Sequence, residues 1–390
     1  MANEKAPENE SLEPGSNHAG CDLSFKNLAE MDLTEANLKG ANLQGAILAG
    51  ASLVRADLSD ANLSGADLSG VDLSGSNLTG AMMGNVKLIG ATLAGAVLDK
   101  ALLTKADLSE SDLSGASLQR ANLADAALLE ATLSEALIVE SCLDRADLRE
   151  GQLGKSVLKG STLIGANLQE ANLAEANLGK CDLSDAILKG ASLAQAVLAC
   201  VRAKNADFSE ADLREANLAD ADFSGAKFVG ADFSGVSAPG AIFNQAILDR
   251  VLAESGDFSK SAFHGTNLKE ANFESASLVQ AQFVNADARE ASFANADLTK
   301  AHILKSDFEE ADFAYAKLDQ AKIIETKLIL ADFEEAMKDQ LEMVDCPTEE
   351  NAGSEERPER SHQFDMAAFF PPRRKAAGEK EKKTLLDDIE

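Results

Sequence analysis

Leu23, Leu28, Leu33, Leu38 and Leu43 open an apolar frame of five that runs without a slip to Phe333, giving 63 consecutive pentapeptides. Any fold of this chain must repeat a five-residue unit that many times. A helix would spread residues 23, 28, 33 and 38 around its whole circumference, and an extended strand alternates with a period of two, so neither element alone accommodates the frame. A long amphipathic helix is excluded.

Each unit has a fixed grammar. Two positions before the central Leu or Phe stands a small residue, as in Ala36-Asn37-Leu38, Ala66-Asp67-Leu68 and Ala231-Asp232-Phe233. A three-residue strand followed by a two-residue corner satisfies this: the small residue and the centre point inward, the Asp or Asn between them points outward, and the last two residues turn the chain. The fifth position is often glycine (Gly40, Gly45, Gly50, Gly65, Gly70, Gly75), and Pro239-Gly240 fill both corner positions, as a type II turn prefers.

These units resemble the pentapeptide-repeat family, whose pattern is A-[DN]-L-x-x, over residues 21–335. The resemblance implies an all-β fold: a right-handed, four-sided parallel β-helix, the pentapeptide-repeat solenoid, with four units per coil and hence nearly 16 coils. At a strand spacing of about 4.8 Å such a rod is roughly 75 Å long. Residues twenty apart then stack, which sets Phe223, Phe243, Phe263 and Phe283 in one column and Phe233, Phe273, Phe293, Phe313 and Phe333 in another, broken by Ala253. The undersized centres Ala203, Ala238, Ala253 and Ala288 leave two outcomes open. Either neighbouring phenylalanines fill the missing volume, or the wall kinks, at 201–205 and 251–255 first.

The rod reading divides the chain. Residues 1–20 are polar, carry Pro7 and Pro14, and read as a disordered arm; 21–335 form the β-helix. Phe333, Met337, Leu341 and Val344 follow at spacings of 4, 4 and 3, which predicts a capping helix over 336–345 that covers the open strand edges. Residues 346–390 read as a flexible acidic linker and tail. Within it the segment 364–375 gathers Phe364, Met366, Phe369 and Phe370 beside Arg373, Arg374 and Lys375, the make-up of a tethered motif for a protein partner.

The net charge of −29 excludes direct nucleic-acid binding as a general property and raises the question of where the charge sits. With units 21–340 assigned in turn to four sides, and Lys and Arg counted as +1 and Asp and Glu as −1, the sides beginning at Cys21, Lys26, Met31 and Ala36 sum to −1, −8, −12 and 0. The second and third are adjacent and form one acidic face. Asp107, Glu110, Asp112, Asp207, Glu210 and Asp212 mark it in the middle, and Asp307, Glu309, Glu310 and Asp312 near the end. Two roles fit such a face, solubility or partner binding. Some members of the resembling family mimic a DNA duplex and occupy the DNA groove of DNA gyrase, so the resemblance implies a topoisomerase or another DNA-binding protein as one target. Other members resemble interaction scaffolds or accessory and effector proteins of bacterial secretion systems, and some dimerise end to end.

Catalysis has little support in the residues. The four histidines, His18, His264, His302 and His362, have neither metal-ligand nor nucleophile-partner spacing, and the Gly-rich stretches follow the corner frame without a phosphate-loop Lys-Ser/Thr. No cofactor or metal is expected. Five scattered cysteines, an odd number without paired spacing, read as reduced thiols, and the polar, acidic start lacks a signal peptide's basic and apolar stretches. With no apolar run of membrane-spanning length, the expectation is a cytoplasmic, non-enzymatic scaffold for protein partners.

Overall fold

The computed structural model describes residues 12–348. Throughout them the backbone is a four-sided parallel β-helix. Each outward residue bridges the one twenty positions on, in an unbroken register from Asn17↔Asn37 through Asp107↔Ala127 to Lys317↔Met337. Three hydrogen bonds per unit hold neighbouring coils together. Leu38 N–H donates to Asp57 O (2.7 Å), Asp57 N–H to Ala36 O (3.0 Å) and Gly40 N–H to Ser59 O (2.8 Å). Near the C-terminal end of these residues the bridges lengthen into a parallel sheet of β1 (Gln282–Val284), β2 (His302–Leu304), β3 (Lys322–Ile324) and β4 (Glu342–Val344).

The corners explain the period of five. Ala36 N–H closes back onto Leu33 O (3.0 Å) around Glu35 at φ 57°, a type II turn, and every fifth residue from Gly15 to Asp345 has positive φ. Glycine takes this conformation without a steric penalty, and Gly240 (φ 72°) after Pro239 is the sequence-legible case. Most corners nevertheless carry a side chain, among them Phe25, Glu110, Cys200 and Tyr315. Such residues normally avoid left-handed backbone, at a cost of about 1–2 kcal/mol each, so the stacked hydrogen bonds of adjoining coils must hold the corners in place.

Inside the square section the small residue and the centre of nearly every unit are buried, from Leu28 to Leu328. The phenylalanines stack as the twenty-residue spacing requires: ring centroids lie 5.4, 5.2 and 4.8 Å apart along Phe223, Phe243, Phe263 and Phe283, with interplanar angles of 13°, 7° and 6°. The second column continues through Phe273, Phe293, Phe313 and Phe333. At Ala253 no kink forms. Phe258, from the next side, lies 6.2 Å from Phe233 and 5.2 Å from Phe273 and fills the gap, while Ala253 stays fully buried. Ala203 is likewise buried with its bridges intact, next to Phe208 and Phe223.

Two boundaries differ from the sequence reading, for one reason. Residues 336–345 are not a capping helix but a further stretch of coil, ending in β4. Lys338 takes the centre position there, with its ammonium 5.3 Å from the Phe333 ring centroid and bonded to Phe333 O (3.3 Å). The expected disordered arm also loses residues 12–20 to the coil. His18 sits in a centre position, 5% exposed, with Nε2 2.8 Å from Ser16 Oγ. A polar centre hides a coil from an apolar frame, while the backbone pairing continues past it. The coil extends to Pro347, whose carbonyl accepts Leu328 N–H (3.1 Å). The expectations for residues 1–11 and 349–390, including Phe364, Met366, Phe369, Phe370, Arg373, Arg374, Lys375 and His362, lie outside the described residues.

Candidate functional site: the outward columns

The interior is closed by hydrocarbon, so chemistry is confined to the outward columns. Their basic unit is the Asp or Asn of each strand, whose carboxylate or amide oxygen braces the following corner. Asp107 Oδ1 accepts Ser109 N–H (3.1 Å) and Ser109 Oγ–H (2.7 Å), and the same pair of bonds recurs at Asp112 with Ser114 and Asp207 with Ser209. This is an Asx-type clamp that fixes the two-residue corner. It lowers some of the carboxyls: the Ser69 hydroxyl and amide hold Asp67 below the usual carboxylate range, as Arg145 does for Asp125. The sequence signal was the recurring Asp-Leu-Ser, as at 67–69 and 107–109, which the grammar of small, outward and central residues passes over.

Of the residues assigned to the acidic face, Asp107 and Glu110 lie on one side of the coil and Asp112 on the next, as the frame requires, with Glu110 exposed at a corner. The same two sides carry Asp207, Glu210 and Asp212 a few coils on, and Asp307, Glu309, Glu310 and Asp312 beyond. Several are neutralised locally. Lys189 lies 3.3 Å from Glu210, Arg214 Nε 2.8 Å from Asp212, and Lys327 pairs with both Asp307 (3.7 Å) and Glu309. Asp312 Oδ1 accepts Ala314 N–H (2.8 Å). A ladder of alternating sign, Lys269–Asp287–Arg289, occupies the same side among the coils between. Asp107, Glu110 and Asp112 sit together on adjoining sides of one coil and Asp207 five coils on, and no ion pair is formed by any of the four with a described residue.

Asp249 stands apart. Its Oδ1 is buried without a hydrogen-bond partner, and burial raises its carboxyl above the usual range, with Lys269 and Arg250 opposing. Cys181 is also perturbed: burial pushes its thiol up to about 12, while its Sγ–H points at Leu158 O (3.0 Å). It is a filler of the small inward slot and a poor nucleophile.

Among the described residues no group of three or more His, Cys, Asp or Glu is arranged to hold a metal ion. No helix among them is long and apolar enough to cross a membrane. His264 and His302 face outward on the side that carries the strands β1 to β4, with His264 Nε2 3.3 Å from Gln282 Oε1.

The family model for pentapeptide repeats matches in overlapping and neighbouring segments that run from residue 19 to residue 328. No curated protein matches the chain. Among solved structures, HetL, a pentapeptide repeat protein involved in heterocyst differentiation regulation in the cyanobacterium Nostoc sp. strain PCC 7120, is 31% identical, with 57% of this chain and 89% of that one covered and a TM-score of 0.32. A pentapeptide repeat protein of the Arabidopsis thaliana thylakoid lumen is 36% identical over 28% of this chain and 77% of its own, with a TM-score of 0.27. QnrB1, a plasmid-mediated fluoroquinolone resistance protein, is 17% identical over 53% of this chain and 89% of its own, with a TM-score of 0.30. The family likeness is thus carried by the repeat match over residues 19–328 and not by superposition.

Proposed function

This chain belongs to the pentapeptide-repeat family, and from that premise we propose that it is a non-enzymatic, rigid scaffold for protein partners. The observation that carries the reading is the division of labour within each unit. Interior positions are committed to packing and backbone pairing, while the outward columns, in fixed register, differ from side to side: −8 and −12 on two adjacent sides, −1 and 0 on the other two. A surface of this kind presents a constant geometry with a variable chemistry, which suits recognition rather than turnover. Free thiols at Cys21, Cys142, Cys181, Cys200 and Cys346 suit a reducing compartment, so we place the scaffold in the cytoplasm. Nothing among the outward columns of the described residues favours a secretion-system role.

The segment 364–375, with Phe364, Met366, Phe369, Phe370, Arg373, Arg374 and Lys375, is proposed as a tethered partner motif on the strength of its composition. Because Cys346 and Pro347 belong to the coil, the test is removal of residues 349–390. Capture of a partner by the truncated chain should fall to background, while its circular-dichroism spectrum and melting temperature stay those of the full chain. Undiminished capture by the truncated chain would take the tail out of the mechanism.

A second reading is favoured by one specific observation, the concentration of the charge on two adjoining sides, −8 and −12, where Asp107, Glu110 and Asp112 share one coil and Asp207 lies five coils on. On that reading the acidic face stands in for a DNA duplex in the groove of a DNA-binding enzyme, a type II topoisomerase among them.

A further inference from the structure

Against the acidity of the whole chain, one groove is lined mainly by lysines and glutamines. It runs lengthwise along the corner that leads into the β1 to β4 side, has a volume of about 700 Å³, and is bordered by Lys260, Lys300 and Lys322, by His302 and four glutamines, and by a single carboxylate, Glu342. Its position matters, because the sides that meet at this corner are the two whose charges sum to −1 and 0. Neighbouring charges are largely satisfied from within: Lys322 pairs with Glu342 (3.0 Å), Lys305 with Glu325 (3.6 Å) and Lys317 with Asp297 (3.9 Å). Lys260 and Lys300, both exposed, make no ion pair with any described residue. On the far side of the His302–Lys322 column runs a half-exposed aliphatic lane of Val284, Leu304 and Ile324.

We propose that this groove binds an acidic, proline-rich segment of a partner protein in the polyproline II conformation, with carboxylates at every third residue on Lys260 and Lys300. The proposal rests on the scaffold reading and names one partner class for it. The spacing argues for this conformation. Lys260 and Lys300 sit two coils apart, about 9.6 Å at a strand spacing of 4.8 Å. A polyproline II helix returns to the same face every third residue, at about 9.3 Å. A β-strand, which repeats its face roughly every 6.7 Å, falls out of step with the coils within one repeat. A segment already extended loses little conformational freedom on docking. A nucleic acid is disfavoured, since a phosphate backbone binds through many cationic contacts and only Lys260 and Lys300 carry charge here that no described residue pairs.

The test uses the full chain and a labelled peptide with glutamate at every third position in a proline background, followed by fluorescence anisotropy near physiological salt. The peptide should bind, a glutamine version and a version with glutamate at every second position should each bind at least about tenfold more weakly, and the exposed double substitution Lys260→Glu with Lys300→Glu should weaken binding of the first peptide at least about tenfold without changing the melting temperature. Absence of binding, equal binding by the double variant, or tighter and equally lysine-dependent binding of an oligothymidylate would overturn the proposal. Any of these results with tail-dependent partner capture intact would sink the groove alone and leave the scaffold standing.

Discussion

At the scale of single residues, the fold is most constrained where a centre is the wrong size. Ala253 should leave a void in the second aromatic column, and the void is absent only because Phe258 reaches across from the neighbouring side to lie between Phe233 and Phe273. Phe258 thus does the packing of two positions, and no other ring lies between Phe233 and Phe273 at that level. Phe258→Ala should cost about 4–5 kcal/mol, at the upper end for a buried phenylalanine, since the cavity it leaves merges with the space above Ala253. Phe283→Ala, in a column stacked without a gap, should cost about 3–4 kcal/mol. Chemical denaturation of the two variants checks the order. Equal losses, or a smaller loss at Phe258, would mean the wall collapses onto Ala253 and the ring is not its filler.

At the scale of the repeated element, the corner is where sequence and structure part company in an instructive way. Most corners close through the amide of the next small residue, as Ala36 N–H does on Leu33 O. At Ser141 the closure opens, and the amide instead donates to Ser161 Oγ (2.9 Å) on the coil above, whose hydroxyl donates in turn to Ile138 O, the acceptor the corner gave up. Ala286 N–H, Ser306 Oγ (3.0 Å) and Phe283 O (3.3 Å) repeat the arrangement. One hydroxyl in the small slot therefore substitutes for a corner bond and ties two coils together. Ser161→Ala should cost about 1–3 kcal/mol, the range for a buried donor left unpaired, and should speed hydrogen exchange at the Ser141 amide. Unchanged exchange there would show that the corner simply recloses. The frame and its corners were legible from residues 23–333, because a five-residue period with small inward slots fits a short strand and a two-residue corner, and the stacked columns followed once the family resemblance supplied four units per coil. The opened corners were not, since a serine in the small slot also reads as a slightly larger alanine. The end coils escaped for a different reason: His18 and Lys338 occupy centres that the frame reserves for hydrocarbon, and the spacing of Phe333, Met337, Leu341 and Val344 happens to fit a helix as well as an outgoing coil.

At the scale of the whole molecule, the acidic sides are the feature that composition announces and geometry qualifies. The sums of −8 and −12 were readable once residues twenty apart were stacked, but the pairing of Glu210 with Lys189 and of Lys327 with Asp307 and Glu309 was not, because each depends on contacts between coils. Asp107, Glu110 and Asp112 on one coil and Asp207 five coils on keep their carboxylates facing outward, three of them braced by serine clamps, and none forms an ion pair with a described residue. That is where the two readings of the acidic face can be separated cleanly. Asn in place of Asp retains the oxygen that accepts the corner amide, as Asn77 Oδ1 does for Thr79 N–H (3.1 Å), so the substitutions Asp107→Asn, Glu110→Gln, Asp112→Asn and Asp207→Asn remove four charges while leaving the corners braced. If the face stands in for DNA, the unaltered chain in excess should inhibit supercoiling by a type II topoisomerase, and the fourfold variant should be about tenfold less potent at low salt, with the difference shrinking as ionic strength rises past about 0.5 M and the Debye length falls to a few ångströms. Inhibition that the substitutions leave untouched would place the contact elsewhere on the rod. No inhibition at large excess would reduce the carboxylates to keeping a repetitive, flat-sided solenoid apart from its neighbours, a role in which charge acts through its sum rather than its position.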